Sequence, residues 1–297
     1  MSIFLRSAVL SSLIFFGACG AKEAKSTLPP QPPIWVVSDA DSEITLYPTI
    51  HILPPEIEWK SDELTRRLAD AEEVWFEILP GSETDPALQQ MMMQLGMAPG
   101  TSVSKTLTDL EVSELKKAIG PLAPGGLTYE VVDQMRPWLV YTFVSVGALV
   151  DAGFDPNSGV EKHLTTMTAG KKYRALETAA GQMEMLASMP EQVQMDLLRE
   201  ALGSMDEGIE DMNELVADWA VGDVEDLEDE LLTDMKTETP EAYDALITVR
   251  NKNWVEQIEK EMKGSGTDFI AVGAGHLVGD DGVPAMLRAR GYTVTRL

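Results

Sequence analysis

The chain has one cysteine, Cys19, in 297 residues, so no internal disulfide can form and stability must come from packing. Basic residues are also scarce. Against 49 Asp and Glu stand 23 Lys and Arg, a formal net charge of −26. Nucleic acid and anionic lipid both require basic patches, so this balance argues against either as a partner and favours solubility. Long hydrophobic runs are few. Residues 138–150 form one, but it is too short to span a bilayer, contains Gly147, and is bounded by Arg136-Pro137 and Asp151. It reads as a buried helix. Histidine is also scarce, with three, and their placement is therefore informative.

The N-terminus carries an export signal over residues 1–18: Arg6, an apolar run over 8–16, then small residues. Cys19 follows Phe16-Gly17-Ala18, an arrangement that resembles a bacterial lipobox, whose cysteine is lipidated and becomes the mature N-terminus. An ordinary cleavage site with an incidental cysteine is the alternative. Residues 20–33 are small and polar and end in Pro-Pro-Gln-Pro-Pro, an extended tether before the domain at 34–297. The location expected is the bacterial cell envelope, facing the periplasm and held to the membrane only through the lipid.

Within the domain, 34–37 and 43–47 read as a hairpin turning through Asp39-Ala40-Asp41-Ser42. Residues 61–71 have helical spacing with Ser61 as cap. A strand over 73–79 follows, then helices over 85–153 broken by Gly- and Pro-rich turns, a short strand at 172–176, and a helical acidic stretch over 190–263. In 224–232 the acids fall at helical rather than ligand-loop spacing, so a solvated helix face is expected in place of a cation site. The methionines at 91–93, 183, 185 and 189 are expected to fill core gaps. The chain closes with strand 269–272, helix 283–290 and strand 293–296. The fold class expected is α/β, a central mixed sheet with flanking helices and a long helical middle.

Two of the three histidines lie in matching frames at opposite ends of this domain. His51 follows Ile44-Thr45-Leu46-Tyr47-Pro48-Thr49-Ile50, and His276 follows Phe269-Ile270-Ala271-Val272-Gly273-Ala274-Gly275. Each is a strand-like run, a short turn, then the imidazole. Strand ends of this kind place side chains at a sheet edge, where open α/β sheets bind ligands. Glu77 ends another strand-like run before Pro80-Gly81. Two imidazoles and a carboxylate suit a catalytic metal site, with Glu77 as ligand or as general base on water. Taken singly, each also fits a hydrogen-bonded core histidine or a salt-bridged Glu.

Between these ends come Gly159-Val160-Glu161-Lys162-His163, Gly170-Lys171-Lys172-Tyr173-Arg174-Ala175-Leu176-Glu177-Thr178 with Gln182, and Arg250-Asn251 with Trp254. In this order, and with Gly282 to Tyr292 at the end, the chain resembles the TraB/GumN family, related to the Tiki metalloproteases and more distantly to erythromycin esterases and ChaN-like proteins. The resemblance implies peptide-bond hydrolysis with a divalent metal, manganese or cobalt, with zinc as a further option. It implies His51, Glu77 and His276 as catalytic and metal-binding residues. Gly273, Glu161, His163, Glu177 and Arg250 are implied around them, touching substrate or the site. Glu177 and Arg250 are equally readable as a buried pair holding the fold, His163 as a polar residue at a helix start, and Trp254 as core. The second Gly-x-x-His motif is intact as Gly273-Ala274-Gly275-His276, whereas Pro48 stands where the first has glycine and removes a backbone N–H there.

Three functions are thus in play. One is an envelope metal-dependent hydrolase acting on a peptide or small molecule. Another is a non-catalytic envelope protein binding metal, haem or peptide in the same cleft. The third is a metal-independent, esterase-like hydrolase in which His and Glu act directly on water.

Overall fold

The computed structural model describes residues 31–297. The expected export signal, Cys19 and most of the expected tether lie outside the described residues. Six strands make one mixed sheet: β1 (Trp35–Ser38), β2 (Ser42–Thr49), β3 (Glu73–Phe76), β4 (Lys172–Ala175), β5 (Gly266–Gly273) and β6 (Thr293–Arg296), in the order β4-β3-β5-β2-β1-β6. The expected hairpin is β1 with β2, antiparallel, with Val37 opposite Ile44. Asp39 Oδ1 closes its turn by accepting the Ser42 N–H at 2.9 Å. On the far side of β1, β6 adds an antiparallel edge.

The other four strands run parallel, so their carboxyl ends share one edge of the sheet. Parallel neighbours need crossovers, and the helical segments between the strands supply them. Helix α1 (Asp62–Asp70) joins β2 to β3, capped by Ser61, whose hydroxyl accepts the Leu64 N–H at 3.1 Å. From β3 to β4 the chain forms α2 (Pro86–Gly96), α3 (Asp109–Ile119), α4 (Pro137–Asp151) and α5 (Val160–Met167). From β4 to β5 it forms α6 (Ala179–Ser188), α7 (Glu191–Gly203), α8 (Met205–Val221), several short helical pieces and α9 (Val249–Glu261). Helix α10 (Val283–Ala289) precedes β6.

Covered on both sides, β2 and β5 are buried along nearly their whole length, which is why they read as apolar runs without alternation. The apolar stretch before Asp151 is α4, buried on all faces from Pro137 to Leu149, with α3 and α7 packed along it. Each Leu or Val it removes from water contributes about 1.5–3 kcal/mol. Gly147 is required there: a Cβ would lie 1.9 Å from the Ala118 carbonyl oxygen of α3. Among the described residues no helix is long and apolar enough to cross a membrane.

In the acidic stretch, Leu227, Leu231 and Leu232 are buried while Glu225, Asp226 and Asp229 face solvent, an amphipathic helix as the spacing predicts. The methionines divide. Met183 is buried and Met92, Met185 and Met189 pack partly against the core, but Met93 is 51% exposed, because α2 lies at the surface.

Candidate active site

The four parallel strands each deliver a polar residue just past their carboxyl ends: His51 after β2, Glu77 after β3, Glu177 after β4 and His276 after β5. The register pairs Thr49 with Gly273, so the two histidine-bearing turns leave adjacent strands side by side. The strand-end frame in the sequence is thus a shared place in the sheet.

His276 occupies a short 3-10 turn and is 0% exposed. Its Nδ1 is 2.6 Å from Asn251 Oδ1, and its ring lies 4.2 Å, centroid to centroid, from that of Trp254. Its Nε2 is buried with no hydrogen-bond partner and sits 3.9 Å from Glu77 Oε1. Burial disfavours the imidazolium, and the charges of Arg250 and His51 disfavour it further, so the pKa falls well below the usual histidine value. His276 is neutral.

His51 behaves in the opposite way. Its side chain is 13% exposed, and its Nδ1 is 2.6 Å from Glu161 Oε1. Burial opposes its charge, but the Glu161 carboxylate outweighs burial and raises the pKa above the usual value. Burial likewise opposes the charge on Glu161, and the His51 imidazolium overcomes it, so that pKa is lowered. The pairing depends on a close approach. Val160 N–H donates to the Ile50 carbonyl at 3.0 Å, and at Gly159 a Cβ would lie 2.0 Å from the His51 carbonyl oxygen. Only glycine lets the start of α5 reach the His51 turn.

Glu77 is buried and fully engaged. Its Oε1 accepts the Gly273 N–H at 2.7 Å, and its Oε2 accepts from Gln182 Nε2 at 3.1 Å and Arg250 Nη2 at 2.5 Å. Arg250, also buried, bonds Glu177 through Nε at 3.0 Å and through Nη2, and donates from Nη1 to the Leu246 carbonyl at 3.0 Å. Gln182 closes the ring, donating to Glu177 Oε1 at 2.7 Å. Two carboxylates on one guanidinium hold it cationic despite burial.

The TraB/PrgY/gumN family model matches residues 33–296. The chain belongs to that family. No curated protein and no solved structure matches it. In this TraB/PrgY/gumN protein the motif residues quoted from the sequence fall into two groups. His51, Glu161, Glu77, Glu177, Arg250, Gly273 and His276 gather at the carboxyl edge of the sheet, with Gln182 and Trp254. His163 turns elsewhere: its ring meets Trp59 edge-on at 5.9 Å and its Nδ1 is 3.4 Å from Lys60 Nζ. Burial and the Lys60 charge lower its pKa. Pro48 lies in β2 opposite Val272, beyond the reach of β1, and its carbonyl accepts the Trp219 indole N–H at 3.1 Å.

Asn251 belongs to the site as well, although its motif with Arg250 and Trp254 gave it no role. In a helix neighbours point about 100° apart, so Arg250 and Asn251 need not share a face. Both face inward because the buried face of α9 is broad, taking in Arg250, Asn251, Trp254, Val255 and Ile258 at the spacing of an α-helical stripe.

Proposed function

We propose that this protein hydrolyses an acyl bond, ester or peptide, by acid–base catalysis between His276 and His51. The carrying observation is the opposed pair of environments: one imidazole fully buried with an unpartnered Nε2 and its pKa lowered, the other 2.6 Å from the Glu161 carboxylate with its pKa raised. Groups whose surroundings push their pKa values apart are the natural base and acid of one reaction. His276 Nε2 takes a proton from water, and the hydroxide adds to the acyl carbon. His51 gives its proton to the leaving oxygen or nitrogen as that bond breaks. Glu77 Oε1, 3.9 Å from Nε2, stabilises the imidazolium formed on His276. His276 then releases its proton to solvent and His51 takes one back, which restores both groups. Because His276 is fully buried and His51 partly exposed, substrate and water come to the site from the side of His51. The lipobox-like sequence at Cys19 supports a place in the bacterial cell envelope, tethered by lipid, with an exported peptide or small ester as substrate.

A second reading uses a divalent cation at the same histidines. One observation favours it: both imidazoles are held at Nδ1 by an oxygen acceptor, the arrangement that orients Nε2 toward a metal. The three-ligand set of His51, Glu77 and His276 does not fit, since both Glu77 oxygens are engaged by Gly273, Gln182 and Arg250. Among the described residues no three His, Cys, Asp or Glu side chains converge as a ligand group. A cation would therefore rest on His51 and His276, where it would lower the pKa of water.

One experiment addresses both. The protein, His51→Ala and His276→Ala are assayed on ester and peptide panels with and without chelator, alongside metal content. Turnover that survives chelation and drops roughly 100- to 10,000-fold in each variant is the expected result. Stoichiometric metal lost in both variants, with activity lost on chelation, moves the assignment to the second reading. No turnover on either panel would overturn both.

A further inference from the structure

Asn251 holds His276, and its two ends are engaged differently. Its side chain is 0% exposed on α9. Nδ2 donates to the Asp281 carbonyl at 2.7 Å and lies 3.5 Å from the His276 carbonyl, while Oδ1 is 2.6 Å from His276 Nδ1. Carbonyl oxygens only accept, so a flipped amide would set its own oxygen against two others. With Oδ1 fixed toward the ring, Nδ1 must be the donor. A neutral imidazole has one ring proton, which leaves Nε2 as a bare lone pair.

We infer that Asn251 is a positioning residue that locks His276 in the Nδ1–H tautomer, keeping Nε2 a bare acceptor on the Glu77 side of the ring. Trp254, one turn further along α9, packs its ring against the imidazole and opposes its rotation. Were the proton on Nε2 instead, Asn251 Oδ1 would face a second lone pair at 2.6 Å with no hydrogen between them. The catalytic meaning of the lock rests on the hydrolytic reading above, but the tautomer itself can be read without turnover.

The test is nitrogen NMR of the full chain labelled at histidine. Three imidazoles give three sets of ring signals, and His276→Gln identifies the one in question. The expected result is a pyrrole-like Nδ1 and a pyridine-like Nε2 for His276. Asn251→Leu, close in volume but without an acceptor, is expected to shift protons onto Nε2, with the His51 and His163 signals unmoved as the check on folding. Hydrolysis is expected to fall by roughly two orders of magnitude through kcat, with KM little changed. A wild-type Nε2–H, or a tautomer indifferent to Asn251→Leu, overturns the inference. If Asn251→Leu does not fold, the wild-type spectrum decides alone. A wild-type Nδ1–H in a protein inert toward esters and peptides leaves the lock standing and removes the hydrolytic reading.

Discussion

Neutral His276 and protonated His51 must coexist for the reaction proposed, and their opposed pKa shifts state where they do. His276 titrates well below 6.5 and His51 above 6.5. The active form therefore predominates across 6.5, and a plot of kcat/KM against pH is expected to be bell-shaped, with its acid limb below that value and its alkaline limb above it. Activity that keeps rising through the alkaline range would remove His51 as the acid. Gly159→Ala probes the same pair from outside the chemistry. Its Cβ would meet the His51 carbonyl at 2.0 Å, and backbone cannot yield as a side-chain tip can. The expected cost is about 1–3 kcal/mol, read as a lowered Tm, together with a drop in the His51 pKa as Glu161 is carried away. A stable variant with an unchanged His51 titration would show that the contact positions nothing. Much of this residue-scale picture was legible in the sequence, because scarce histidines after apolar runs announce themselves. The Gly159 contact was not, since nothing local distinguishes a helix-start glycine from one pressed against a distant carbonyl.

At the scale of elements, strands and capped helices follow from periodicity, and β1, β2, α1, α4 and β4 lie where the spacing places them. Sheet order is another matter. That β5 inserts between β2 and β3 is set by how the crossover helices pack, and no window of sequence contains it. The π-helical turns escape for a related reason, although one leaves a trace. Leu246, Ile247 and Thr248 are consecutive buried residues, more than an α-helical stripe accommodates, and Arg250 and Asn251 are buried just beyond. The turn over Asp244–Thr248 takes up one residue more than an α-turn and leaves the helix on either side in phase, so the local pattern breaks while the buried face of α9 continues. The pairing that α9 carries is the testable part. Arg250→Leu removes the cation from between Glu77 and Glu177, leaving buried charges unpaired at a cost of about 3–5 kcal/mol. Chemical denaturation measures that loss. An Arg250→Leu variant with wild-type stability would show that the pairing is incidental.

Across the whole molecule the two ends of the parallel sheet use charge differently. The carboxyl end balances Arg250 against Glu77 and Glu177, and His51 against Glu161. The amino end joins Lys172, Glu73, Arg174 and Glu261 in one ion-paired chain, and Asp268 adds a third carboxylate to two bases. Burial, then repulsion from Glu261 and Glu73, raise the Asp268 pKa to about 6, although its Oδ1 accepts the Glu73 N–H at 3.2 Å. The sign follows from proton counts. Between the ordinary value of 3.8 and about 6 the folded chain binds the proton more tightly than the unfolded one, so rising pH costs stability across that window. Above it the full penalty persists, and below 3.8 none remains. Asp268→Asn keeps an oxygen for the Glu73 N–H and removes the charge. Its Tm is therefore expected to exceed that of the parent at pH 8 and to converge with it at pH 4. The gain should shrink as salt is raised, because screening weakens the repulsion that Glu261 and Glu73 exert on Asp268. In a chain of net charge −26 such relief is available at few buried places, since most of its carboxylates already face water. A variant no more stable than the parent at pH 8 would mean that Lys172 and Arg174 already neutralise the whole amino end.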